Sequence, residues 1–152
     1  MKNSLATYQL SEIKQSTLVS QIIKKINEAT SSETYWLACI NSHSHVTTFS
    51  DPRYHEVLTN STWLIPDGVG ITLAYRLLYN KNINRITGPD IFLDLNEGFG
   101  LTNKNRVFFI GSTKQTLSKI ERKFKKDYPN LNLVGVYSPP FKDFFDPSDT
   151  DH

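Results

Sequence analysis

Val19, Ile22, Ile23 and Ile26 recur at helical spacing until the Ser/Thr/Glu-rich stretch at residues 30–34 interrupts them, which predicts an amphipathic helix over residues 15–29. Residues 35–40 (Tyr-Trp-Leu-Ala-Cys-Ile) form a short unbroken apolar run that stops at Asn41, the pattern of a strand buried on both faces. A second run, residues 62–65, is closed by Pro66-Asp67-Gly68. Beyond Gly68 the period changes, and Ile71, Ala74, Leu77 and Leu78 predict one apolar stripe on a helix of about three turns. Residues 90–95 start a further helix, with Gly98 and Gly100 as its expected end. Residues 106–111 (Arg-Val-Phe-Phe-Ile-Gly) read as the clearest strand, and Ser112 or Thr113 is positioned to cap the helix whose stripe is Leu117, Ile120 and Phe124. Pro129 and Asn130 end that helix, and residues 131–137 return as a strand, so residues 106–137 predict a βαβ unit with a right-handed crossover.

Strands alternating with helices predict an α/β fold: an open, largely parallel sheet with helices on both faces, Rossmann-like in type. A single α/β domain is expected over residues 1–137, followed by a polar C-terminal tail at 138–152. Composition adds exclusions. The chain has 152 residues, 17 Lys or Arg against 15 Asp or Glu, and a formal charge of +2, so a strong electrostatic pull on nucleic acid is not expected. With 2 Trp, 7 Tyr and 9 Phe it can build a sizeable core. One cysteine, Cys39, excludes an internal disulfide framework and a multi-cysteine zinc ribbon. The N-terminus lacks a signal-peptide core and no run of about 18 or more apolar residues occurs, so the expected location is cytoplasmic. Asn60-Ser61-Thr62 then reads as a chance glycosylation match.

Open α/β sheets bind ligands beyond the carboxyl ends of their strands, which directs attention to Asn41, to Asp67-Gly68 and to Gly111-Ser112-Thr113. Asp67 reads either as a general base held rigidly at a strand mouth or as a turn residue capping the next helix. Gly111-Ser112-Thr113 reads either as a phosphate cradle at a helix start or as a plain capped turn; the full Walker and dinucleotide fingerprints are absent. His43 and His45 would face the same way on an extended segment, with Asp51 and His55 as further conceivable ligands, but a polar Ser-His-Ser-His loop rarely supplies a tetrahedral site, and no metal is expected. Cys39, inside an apolar strand, reads as an inert thiol. The basic residues between 114 and 126 read as a solvated helix face.

Taken in order, Cys39-Ile40-Asn41, Pro66-Asp67-Gly68-Val69-Gly70 leading into Ala74-Tyr75-Arg76-Leu77-Leu78, Arg85-Ile86-Thr87-Gly88-Pro89-Asp90, and Val107-Phe108-Phe109-Ile110-Gly111 followed by Tyr128-Pro129-Asn130-Leu131 form a series. From about Leu37 to Tyr137 this series resembles the WecG/TagA/CpsF glycosyltransferase family. The resemblance implies inverting transfer of an N-acetylmannosamine-type sugar from a UDP-sugar to a hydroxyl of a lipid-linked saccharide in cell-surface polysaccharide synthesis, wall teichoic acid included. It puts Asp67 on the family's catalytic base and Asn41 on an active-site Asn. It assigns Cys39, Thr87, Gly88 and Asp90 to the substrate pocket and Gly111 and Ser112 to a turn approaching the nucleotide; Arg85, Arg76 and Lys114 read either as partners of the diphosphate or, by default, as salt-bridged or solvated side chains. UDP-sugar is then a substrate and no cofactor is implied; peripheral association with the inner membrane face and self-association are both allowed.

Two side chains depart from the family pattern. Cys39 stands where Thr is common, which removes a hydroxyl hydrogen bond, and Pro89 stands where Ser or Thr is usual. The family also continues, past this chain's last residue, into a further strand, a Gly-rich segment and helices that serve the nucleotide, so the chain is expected to lack that C-terminal part. Asp149-Thr150-Asp151 in the polar tail is not expected to hold metal. The competing expectations are a catalytically inactive member serving as a nucleotide- or sugar-binding or assembly module, and an unrelated nucleotide-binding α/β protein.

Overall fold

Two apolar tetrapeptides, β1 (Leu37–Ile40) and β2 (Trp63–Pro66), pair in parallel in the register Leu37 with Trp63 through Ile40 with Pro66. Parallel neighbours need a crossover. In the computed structural model, which describes residues 5–30, 32–99 and 106–142, that crossover is made by two short helices, α2 (Ser42–Thr47) and α3 (Pro52–Thr59). Preceding β1 is α1 (Gln15–Glu28); following β2 are α4 (Val69–Tyr79) and α5 (Gly88–Phe99). Beyond them, β3 (Arg106–Ile110), α6 (Lys114–Asp127) and β4 (Asn132–Tyr137) complete the described α-helices and strands. The contacts divide the chain into two compact units, Met1–Gly98 and Phe99–His152, each with its own two-stranded parallel sheet.

In the first unit both faces of the β1–β2 pair are covered, as expected of unbroken apolar strands. Ile40 and Leu64 point into a core shared with Leu58 of α3, Ile71 and Tyr75 of α4, and Leu5, Tyr8 and Leu10 from the N-terminal segment. On the opposite face Ile65 packs with Leu18, Val19 and Ile22 of α1, with Ile86 and with Ile91 of α5, while Leu37, Cys39 and Trp63 flank them. The α/β reading with parallel strands and helices on both faces therefore holds here. In the second unit β3 and β4 pair in parallel around α6, which buries Leu117 and Phe124, so the βαβ expectation holds as well. The register shifts between Val107 and Phe108, and Gly135 makes room for the Phe108 ring, whose Cε2 lies 2.7 Å from where a Cβ would sit.

Four details differ from the sequence reading. The strand expected at 35–40 is confined to Leu37–Ile40. Half of the apolar stripe expected on α4 holds: Ile71 is buried and Ala74 packs against the same core, but Tyr75, one helical turn beyond Ile71, takes the remaining inner position, whereas Leu77 is 77% and Leu78 62% exposed. Tyr75 can take the inner position because its hydroxyl finds a partner, donating to the Glu12 carboxylate; that bond pushes the phenol up to about 12. Gly98 does not end its helix: α5 runs on to Phe99, and Gly98 marks a close approach, since a Cβ there would collide with Ile23 Cδ1. Gly100, also expected as a helix end, and most of the polar tail, including Asp149-Thr150-Asp151, lie outside the described residues.

The segment between β1 and β2 is the fourth correction. It is not an extended polar loop but two capped helices. The Asn41 side chain accepts from the Ser44 N–H at 2.9 Å, and the Ser44 hydroxyl accepts from the Asn41 N–H at 2.7 Å, a reciprocal box at the start of α2. Asp51 accepts from the Tyr54 N–H and Pro52 occupies the first turn of α3.

Replacing Ile71 by Ala should cost about 2–5 kcal/mol in denaturant unfolding, the usual cost of emptying a filled core position. Leu77→Ala should stay within about 0.5 kcal/mol, as surface changes do. Equal losses at both positions would restore the stripe expected from the sequence.

Candidate active site

The last backbone bond of the parallel pair runs from the Asp67 N–H to the Ile40 carbonyl at 2.8 Å. Extending the register by one residue sets Asn41 beside Asp67 at the carboxyl ends of β1 and β2. Both sequence candidates thus stand at the same end of one sheet. Gly68 follows with φ +132° and ψ 145°, a region open essentially to glycine alone, and this turn aims α4 away from the sheet. The position where a Gly68 Cβ would sit is 3.7 Å from Asn41 Cβ, and a Cβ on Gly70 would collide with Ser42 Oγ. The starts of α2 and α4 are therefore held close together.

A third segment closes the site. The Ile86 N–H donates to the Pro66 carbonyl at 3.1 Å, carrying the residues before α5 to the end of β2. Arg85 Nη2 then lies 3.7 Å from Asp67 Oδ1; the Asp67 side chain is 27% exposed and the Arg85 side chain 54%. A contact so open to water is worth little to stability, but it presents a carboxylate and a guanidinium together to a ligand. Cys39 lies beneath them, with its Sγ 3.5 Å from where a Gly88 Cβ would sit. Burial pushes the Cys39 thiol up, the Asp67 charge adds to that, and a bond from the Gly88 N–H opposes it. The thiol thus stays protonated at neutral pH, which agrees with an inert cysteine.

Thr87 and Asp90 are engaged with each other. The Thr87 hydroxyl donates to Asp90 Oδ2 at 2.6 Å and accepts from the Asp90 N–H at 3.2 Å, which caps α5. These two residues shape the wall. Asn41 likewise has its Oδ1 committed to the helix cap, which leaves its Nδ2 donors for a substrate hydroxyl. By contrast Gly68, which precedes α4, has no side chain to cap it, so among the described residues the start of α4 lacks the side-chain cap that α2 and α5 have, and its N–H groups and helix dipole suit an anion.

Cys39, Asn41, Asp67, Arg85, Thr87, Gly88 and Asp90 are brought together in the first unit. Gly111 and Ser112 belong to the second, at the end of β3. Gly111 has φ +119° and Ser112 φ +57°, the Gly111 N–H donates to the Tyr137 carbonyl at 2.9 Å, and Thr113 caps α6 by accepting from the Thr116 N–H. Lys114 is the first residue of that helix. The imidazoles expected to face one way do not, because positions two apart on α2 diverge. His45 instead packs against Tyr8 and Phe49, and burial, with His55 nearby, holds it below the usual histidine range. Among the described residues no group of three or more His, Cys, Asp or Glu side chains converges as metal ligands would.

Sequence reasoning missed Ser42 and Ser44, and it gave Gly70 no role beyond its place in the family series, although the three help to fix the helix starts around the carboxylate. The signal for Ser44 was present in the Asn-x-x-Ser spacing of residues 41–44, a capping pattern.

The model of the Glycosyl transferase WecG/TagA/CpsF family matches residues 4–151. The N-acetylglucosaminyldiphosphoundecaprenol N-acetyl-beta-D-mannosaminyltransferase of Bacillus subtilis (strain 168) is 31% identical over 101 residues, 65% of this chain and 38% of the relative. The protein of the same name from Bacillus spizizenii (strain ATCC 23059 / NRRL B-14472 / W23) is 31% identical over 93 residues, 61% of this chain and 36% of that one. The matched segments thus span little more than a third of these relatives' length.

The arrangement predicts a measurable coupling between Cys39 and Asp67. Alkylation of the thiol by iodoacetamide should follow a pH profile displaced above that of an ordinary cysteine, and Asp67→Asn, by removing the adjacent charge, should move the profile to lower pH. A profile unchanged by the substitution would contradict the juxtaposition.

Proposed function

Because the chain belongs to the WecG/TagA/CpsF glycosyltransferase family, we propose that it transfers an N-acetylmannosamine-type sugar from a UDP-sugar to the hydroxyl of a saccharide carried on a polyprenyl diphosphate, with Asp67 as general base. The supporting observation is the Asp67 carboxylate, partly open to solvent at the joint end of β1 and β2 with Arg85 beside it. The two relatives are named for a transfer of this kind, onto N-acetylglucosaminyldiphosphoundecaprenol. The products would serve cell-surface polymers of the teichoic acid class, and the acceptor would bring the chain to the membrane surface as a peripheral partner.

In this reaction the acceptor oxygen attacks the anomeric carbon of the donor from the face opposite UDP. The new C–O bond forms as the bond to the diphosphate oxygen breaks, the electron pair leaves with UDP, and the acceptor proton passes to Asp67. Arg85 orients the carboxylate and offsets charge on the departing diphosphate, as do the uncapped N–H groups of α4. The Asn41 amide donates to a sugar or acceptor hydroxyl. Thr87, Gly88, Asp90 and Cys39 bound the pocket, Cys39 as a neutral, space-filling group.

UDP should raise the thermal midpoint saturably while AMP does not, because a ligand that binds only the folded chain stabilises it. With N-acetylglucosaminyl diphosphoprenol as acceptor, UDP release should fall by about 10²–10⁴-fold in Asp67→Asn, the usual contribution of a positioned base. Turnover at the full rate in that variant would remove Asp67 from the mechanism; UDP binding without turnover would reduce the chain to a binding module.

A further inference from the structure

Gly70 is a glycine that its own backbone does not require. It lies in the first turn of α4 without the positive φ that marks Gly68. Alanine makes a more stable helix at such a position, because glycine loses more chain entropy on folding. What a side chain there would meet is Ser42. A Cβ on Gly70 would collide with Ser42 Oγ while clearing Ser42 Cβ at 3.7 Å; among the described residues no other heavy atom comes within 4 Å, its chain neighbours and its own helix backbone apart. The absent methyl group therefore makes room for one atom, the Ser42 hydroxyl oxygen.

Ser42 opens α2 directly after Asn41, and its side chain is exposed. Ser44 spends its hydroxyl in the capping box, whereas the Ser42 hydroxyl has no hydrogen-bond partner among the described residues. It reaches across to the third residue after Asp67, and so adds a donor at the end of the sheet where Asn41 and Asp67 stand. The diphosphate is the charged part of a UDP-sugar, and a hydroxyl bonds more strongly to a charged oxygen than to a neutral one. Resting on the reading of Asp67 above, we propose that Ser42 is a further substrate-binding residue, its O–H donating to a diphosphate oxygen of the nucleotide sugar, and that Gly70 keeps open the space this hydroxyl occupies. Alanine at position 70 leaves α4 intact but drives the Ser42 side chain into another rotamer, aiming the hydroxyl elsewhere. Removing the hydroxyl and filling its space are then one and the same loss.

The test is a double-mutant cycle on the full chain, read by calorimetric titration with UDP and with uridine. Ser42→Ala and Gly70→Ala should each lower the ratio of UDP to uridine affinity at least about tenfold, as loss of a hydrogen bond to a charged group does. The double variant Ser42→Ala/Gly70→Ala should bind UDP no more weakly than either single variant, since the second change acts on a hydroxyl already lost. The thermal midpoint of Gly70→Ala should equal or exceed that of the unaltered chain, which separates lost binding from lost folding. Losses that add in the double variant would make Gly70 act apart from Ser42 and overturn the proposal. So would UDP affinity unchanged in Ser42→Ala, or UDP and uridine weakened alike. These readouts need no turnover, so any of those failures leaves Asp67 standing as the base. UDP release undiminished in Asp67→Asn, with the cycle as expected, refutes that reading alone; an unaltered chain that binds no UDP refutes both.

Discussion

The hydrogen bond from the Asp67 N–H to the Ile40 carbonyl is the constraint on which the site depends. It closes the parallel pair one residue beyond β2 and so fixes where the strand stops and the turn begins. Everything on the carboxyl side takes its position from that bond: Asn41 beside Asp67, Gly68 in its glycine-only conformation, and α4 launched from the sheet. The strands themselves are only four residues long. They hold their register because both faces are packed, and a slip by one residue would exchange the side chains of the two cores.

Helix starts do most of the remaining work at this end. α2 is held by the reciprocal Asn41–Ser44 box, α5 by Thr87, and α4 by Gly68 without a side-chain cap. Two helices therefore have a first-turn donor capped by a side chain, and α4 does not. The same economy appears in the charged groups, where Thr87 and Asp90 satisfy each other while Asp67 and Arg85 remain part-exposed and face one another loosely at 3.7 Å. Cys39 completes the floor without competing for protons, because burial and the Asp67 charge keep its thiol neutral.

How much of this was legible in the sequence depends on what holds each element. β1, β2, α1 and the β3–α6–β4 unit are held by apolar burial, and their runs and stripes announce them. α2 and α3 are short, polar and held by caps, so a reading by hydrophobic period passes over them, although Asp51-Pro52 and the Asn41–Ser44 spacing carry the information. The α4 stripe misled at its last two positions, because Tyr75, left out of the stripe, turns inward once its hydroxyl has Glu12, and Leu77 and Leu78 then face water. Asn41 and Asp67 could be chosen as strand-end polar residues. The neighbourhood of Cys39, Arg85 and Gly88 could not be read from spacing, since it arises where the segment before α5 returns to the sheet; the family resemblance alone pointed to it.

The central claim is that the nucleotide-sugar chemistry belongs to the shared end of β1 and β2. Backbone amide chemical-shift mapping during a UDP titration tests it most directly, because every segment of the site contributes amides of its own. The largest changes should fall on residues 41, 67–70 and 85–90. Changes confined to residues 111–113 at the start of α6, with the Asp67 region unmoved, would contradict the account.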